Sequence, residues 1–152
     1  MIVRFRPASV PAMRSSPLKP GIDASALLLL DFLERNRAEE HFEFPFSFSF
    51  PRNACESVSL ILTYLIEEKY GLDTVEIIKG TKPKKHEHHF WVKVGDWQYD
   101  LTAHQFGQRK PIIGVFAHQL FLSYPEWGIE RGRDFVERDA VLELYRAGVI
   151  PF

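Results

Sequence analysis

The sequence predicts an α+β fold, with a central helix packed on an antiparallel sheet and flanking helices around it. Two observations carry this. Segments of helical periodicity alternate with segments of period two, and two of the latter are separated by only Gly95 and Asp96, as in a hairpin. A third bounds the size: 152 residues with 45% hydrophobic and 14% aromatic content suit one packed core.

Residues 1–20 contain four prolines and scattered basic residues, which predicts an extended N-terminal arm ahead of one domain over residues 21–152. Asp23 is a suitable N-cap for a helix in which Leu27, Leu30, Phe32 and Leu33 recur at helical spacing. Phe42, Phe44, Phe46, Phe48 and Phe50 then occupy alternate positions, the pattern of a strand with one aromatic face, and Pro45 points to an edge strand or an extended segment. Between residues 53 and 70, Ala54, Val58, Ile61, Leu62 and Leu65 line one helical face, and Gly71 is a natural stop. "TVEIIKG" follows as a strand and "KPKKHE" as a polar loop. "HHFWVKV" and "WQYDLT" form the hairpin, and "GVFAHQLFLSY" and "RDFVERDAVLELYRAG" close the chain as helices.

A formal net charge of −1 gives no electrostatic basis for nucleic acid or an anionic membrane as the main partner. The single cysteine cannot form an internal disulfide, so nothing requires an oxidising compartment. No stretch has the form of a cleavable secretory signal, and "ALLLLDFL" is far shorter than the ~18 apolar residues of a membrane span. A cytoplasmic protein is the expectation, with export by a route that reads no cleavable signal left open.

The lone cysteine lies in "PRNACESVSL". Asn53 is an N-cap residue type, and Glu56, three positions on, can close a capping box onto it. Cys55 then falls in the first helical turn, where unpaired N–H groups and the positive end of the helix dipole favour an anion; a thiol there becomes a thiolate nucleophile more readily. The competing interpretation is a small buried hydrophobe, the commonest role of a free cysteine.

A two-residue turn at Gly95 and Asp96 sets Val94 opposite Trp97 and Val92 opposite Tyr99. Continued outward, that register makes His89 and Asp100 diagonal neighbours on one face, while Phe90, Val92, Val94, Trp97, Tyr99 and Leu101 gather on the other. A carboxylate beside an imidazole fixes its tautomer and leaves the second nitrogen to take a proton from a thiol. The alternative is an ordinary polar pair on a solvated sheet face.

Cys55 in "NACESVS", His89 two before Trp91 in "HFWVKV", and Asp100 two before Thr102 in "YDLTAHQF" together resemble the transglutaminase-like cysteine enzymes of the papain-like superfamily. The resemblance covers about residues 50–106. It implies a papain-like or transglutaminase-like core, with Cys55 as nucleophile, His89 as general base and then acid, and Asp100 as the group that orients His89. Papain-like proteases often carry an oxyanion-stabilising glutamine six residues before the cysteine, where this chain has Ser49. The Cys55 backbone N–H is therefore the first oxyanion donor to consider, and the Asn53 side chain the second.

The expectation is a thiol-dependent acyl-transfer enzyme without a cofactor or metal. It would hydrolyse an amide, a peptide bond or a glutamine side chain, in a protein or small-molecule substrate. Trp91 and Gln105 are candidate pocket residues. A metal site built from His86, His88, His89, His104 and Cys55 is disfavoured because His88 and His89, adjacent on a strand, point to opposite faces. The other alternative is a non-catalytic binding module that uses the aromatic face running from Phe42 to Phe50.

Overall fold

The computed structural model describes residues 17–152 and is α+β, with a five-stranded antiparallel sheet and four helices among those residues. Most of the expected extended arm lies outside the described residues. Helix α1 spans Leu18–Glu39, so the expected boundary between residues 20 and 21 falls inside it. Pro20 is accommodated because it lies in the first turn, where a backbone N–H has no helical partner. Asp23 is consequently not the N-cap. Lying inside the helix, it accepts hydrogen bonds from Lys19 Nζ at 2.6 Å and from the Tyr99 hydroxyl at 2.6 Å, tying α1 to the sheet.

The alternating phenylalanines do not form a strand. The segment is a run of turns around a 3-10 turn at Ser47–Ser49, and Phe46 adopts a left-handed backbone with φ 63°. Local bonds replace a ladder: Asn36 holds both the N–H and the carbonyl of Phe42, Ser47 N–H donates to Phe44, and Ser49 N–H to Phe46. The aromatic side chains therefore do not share a face. Phe44 and Phe50 are buried, whereas Phe46 is 42% and Phe48 75% exposed.

Helix α2, Cys55–Tyr70, ends at Gly71, whose φ of 63° is left-handed and suits a residue without a Cβ. It is buried on every side from Ser57 to Ile66 rather than along one stripe. The Tyr64 hydroxyl bonds the carbonyls of Arg133 and Val136, and Arg133 pairs with Glu67 at 2.6 Å. These bonds fasten residues 133–136 across α2. The expected closing helix is accordingly shorter, beginning only at Arg138 and forming α4, Arg138–Arg146.

Strands β1 (Val75–Lys82), β2 (Glu87–Val94), β3 (Trp97–Asp100), β4 (Ile112–Val115) and β5 (Glu126–Glu130) are ordered β4-β3-β2-β1-β5. Strands β4 and β5 are not among the elements that the sequence predicts. The first takes Gly114 and Val115 from the expected helix of residues 114–124, leaving one turn, α3 (Gln119–Leu122), capped by His118 Nδ1 on the Leu120 N–H. One sheet face packs on α1, α2 and α4 through the main core, which includes Ile77, Phe90, Val92, Val94 and Tyr99. The opposite face carries a smaller cluster of Ile78, Trp91, Ile112, Leu120, Phe121 and Tyr124. No helix among the described residues is long and apolar enough to cross a membrane.

Candidate active site

The hairpin pairs in the expected register, Val94 with Trp97 and Val92 with Tyr99, across a turn in which Gly95 has φ 59°. His89 and Asp100 lie just beyond the last of these pairs. There the imidazole Nε2–H donates to Asp100 Oδ2 at 2.6 Å, with His89 fully buried and Asp100 2% exposed. The other carboxylate oxygen accepts from the Thr102 N–H at 3.0 Å and the Thr102 hydroxyl at 3.1 Å. Gln105 Nε2 donates to that hydroxyl at 3.2 Å. A buried carboxylate held by three donors, one of them an imidazole, is fixed in place and has little need of water.

Nδ1 of His89 is buried and makes no hydrogen bond of full geometry. Cys55 nevertheless lies near enough to act on the ring by charge and by hydrogen bonding. We read the resting contact as a close approach rather than a formed bond. Burial pushes the imidazole down, but the charge and hydrogen bond of Asp100 outweigh it, Cys55 adds in the same sense, and His89 rises to about 9. At neutral pH the ring is therefore held as imidazolium.

Cys55 is the first residue of α2, half-buried and free. The expected capping box is absent. Ala54 occupies the N-cap position with no side-chain cap bond, and Asn53 has a left-handed backbone at φ 58° with an exposed side chain. Asparagine is one of the few residues that adopt this conformation readily, which is its role here. Burial, with the charge of Glu130, raises the pKa of Glu56 while Lys79 opposes. Since no side chain caps α2, the first-turn N–H groups stay free of a cap, and the Cys55 N–H is an available donor. Ser49 is occupied locally, its hydroxyl 3.0 and 2.7 Å from the carbonyls of Phe46 and Arg52.

Trp91 is buried, donates from Nε1 to Gln98 Oε1 at 2.8 Å and stacks on Phe121 with centroids 4.5 Å apart. It lines a groove of about 290 Å³ with Ile78, Phe116, Phe121, Leu122 and Trp127, but Cys55, His89 and Asp100 do not. Gln105 supports Asp100 through Thr102 and borders a separate cleft of about 560 Å³ with Phe50, Arg52 and His104. His88 is exposed on the other face from His89, with Nδ1 3.2 Å from the Thr81 hydroxyl. Among the described residues no three histidine, cysteine, aspartate or glutamate side chains converge to hold a metal ion.

Three residues that sequence reasoning missed surround His89. Tyr124 stacks on it with centroids 5.9 Å apart, Phe106 meets it edge-on at 4.9 Å, and Gly80 faces it across the β1–β2 ladder. Only Gly80 carried a signal, a glycine inside a strand, which often marks a close approach.

The chain matches no protein-family model, and comparison with curated proteins and with solved structures gave no significant match.

Proposed function

We propose that this chain is a thiol acyl-transfer enzyme with a transglutaminase-like or papain-like core, in which Cys55, His89 and Asp100 form the catalytic triad. The observation that carries the reading is the buried imidazole, bonded through Nε2 to Asp100 at 2.6 Å, with its unbonded Nδ1 and Cys55 close to the ring. In the reaction, Cys55 acts as the thiolate partner of the His89 imidazolium, which carries the proton on Nδ1, and the sulfur attacks an amide or ester carbonyl. The Cys55 N–H at the start of α2 donates to the oxyanion. His89 then returns the proton to the leaving amine or alcohol as the carbonyl re-forms, leaving an acyl group on Cys55. Water, deprotonated by His89, releases the acid; an amine in its place would give transfer. Asp100 stays ionised throughout and holds the ring. A protein or small amide is the substrate class this chemistry implies.

Incubation with a panel of peptide, glutaminyl and small aryl amides or esters, followed by intact-mass measurement, tests the reading. An added acyl mass on Cys55, lost in Cys55→Ser with the fold retained, is the expected result. A thiol that acquires no acyl group from any member, and reacts with iodoacetamide only above pH ~8 as an unactivated thiol does, would overturn it.

A second reading has its own support. Phe46 and Phe48 are exposed on the loop leading into Cys55, and the Ser57 hydroxyl bonds Pro45 at 3.1 Å, fixing that loop to α2. Such a surface suits a non-catalytic binding module, in which Phe48→Ser would abolish partner binding and Cys55→Ser would not.

A further inference from the structure

The imidazole of His89 is held by more than its carboxylate. Tyr124 lies almost parallel to it, at 21° and 5.9 Å, while Trp91 is tilted by 32° at 5.9 Å and Phe106 stands edge-on at 4.9 Å. Tyr124 and Trp91 are themselves in contact, with centroids 5.8 Å apart, and both are buried. The two rings share the space above position 80. A Cβ built on Gly80 would come within 2.7 Å of Trp91 Cζ3 and 2.7 Å of Tyr124 Cγ, closer than carbon atoms approach without one of them moving. Both nearest atoms belong to rings in a filled cluster, not to the ends of flexible side chains. Lys82 Nζ sits over the outer part of this arrangement, 4.8 Å from the Tyr124 centroid.

From this geometry we infer that Tyr124, seated over strand β1 because residue 80 is glycine, is a positioning residue that fixes the plane of the His89 imidazole toward Cys55. Asp100 anchors only one atom of the ring, Nε2, which leaves rotation about the hydrogen bond and the side-chain torsions uncontrolled. A flat ring face at stacking distance limits that rotation, and its electron-rich face suits a cation. Excluding water at the same time strengthens the ion pair with Asp100. The groups acting electrostatically on this pair of rings are Asp100 and Cys55 on His89, with Asp100, Glu87, Cys55 and Arg109 on Tyr124.

The inference rests on the acyl-transfer reading for its consequence but is tested separately from it. The experiment follows His89 by its imidazole NMR resonances across pH, alongside the pH profile of Cys55 alkylation, in wild type, Gly80→Ala, Tyr124→Leu and Tyr124→Phe. In Gly80→Ala and Tyr124→Leu, admitted water weakens both the burial penalty and the hold of Asp100. The His89 midpoint is then expected to move toward the ordinary imidazole value by about one pH unit, and alkylation near neutral pH to slow by roughly tenfold. Tyr124→Phe, which keeps the ring, restores the wild-type profile. A midpoint and alkylation profile unchanged in Tyr124→Leu, whatever its melting temperature, would overturn the inference. Should the variants not fold, the wild type still decides: cross-relaxation between the His89 and Tyr124 ring protons is expected, and its absence overturns the stacking. A shifted midpoint in a protein whose Cys55 accepts no acyl group would uphold the positioning role and refute the reaction.

Discussion

Thr102 contacts Asp100 twice, through its backbone N–H at 3.0 Å and its hydroxyl at 3.1 Å, and both bonds go to Oδ1. Oδ2 is thereby reserved for His89. Thr102→Val keeps the shape and the backbone bond but removes the hydroxyl, which also strips Gln105 of its acceptor. A loss of about 1–3 kcal/mol in stability is expected, since the lost bond is to a charged group. Any acyl-transfer rate should fall several-fold with little change in KM. Denaturant unfolding and steady-state kinetics check both; a loss of stability with unchanged kcat would leave Thr102 as packing alone.

The two adjacent histidines should differ sharply. His89→Ala is expected to remove acylation and to give Cys55 the alkylation profile of an unactivated thiol, whereas His88→Ala, an exposed residue on the opposite face, should change neither. Asp100→Asn should act in the direction of His89→Ala, because an amide admits the wrong imidazole tautomer. Equal losses from the two histidine variants would show the triad to be misassigned.

Stability should decline with alkali. His89 has a folded pKa of about 9, above the ordinary 6.5, so the folded state binds the proton more tightly than the unfolded chain. The resulting stabilisation is complete below about pH 6.5 and is lost as pH rises through about 9. Melting curves of wild type and His89→Gln should converge across that window. A constant difference from pH ~6 to ~10 would mean that the imidazolium contributes nothing.

The split fate of the phenylalanines yields a fourth expectation. Phe50 is fully buried and Phe48 is 75% exposed. Phe50→Ala should therefore cost about 3–5 kcal/mol and Phe48→Ser no more than about 0.5 kcal/mol. Similar costs at the two positions would imply that the loop packs differently.

The parts of the site that sequence revealed are those governed by parity and by helix periodicity. Val92, Val94, Trp97 and Tyr99 have to share a buried face, and that requirement, with the two-residue turn at Gly95 and Asp96, sets His89 beside Asp100. Cys55 was legible because a helical pattern began beside it. The phenylalanine alternation misled because period two records only spacing, whereas the chain there is governed by a left-handed Phe46 and the side chain of Asn36. Asn53 has two common uses, N-cap and left-handed turn residue, and local sequence does not choose between them. Strand β5 is an exposed five-residue edge, too short and too polar to show an apolar rhythm. Tyr124 reaches His89 only through tertiary folding, so no local pattern announces it.

The turn at Gly95 and Asp96 bears on how this chain can change over evolutionary time. Hairpin tips usually tolerate insertions, but His89 and Asp100 are 11 positions apart in a stretch that passes through this half-buried one. Adding or deleting a single residue there would invert every side chain of one strand relative to the other, withdrawing the carboxylate from the imidazole and Tyr99 from Asp23 together. The length of this tip thus sets the contact between His89 and Asp100 at the far end of the hairpin. Distant relatives that keep the site should preserve the interval between this histidine and this aspartate, or alter it by two, even where little else in the sequence survives.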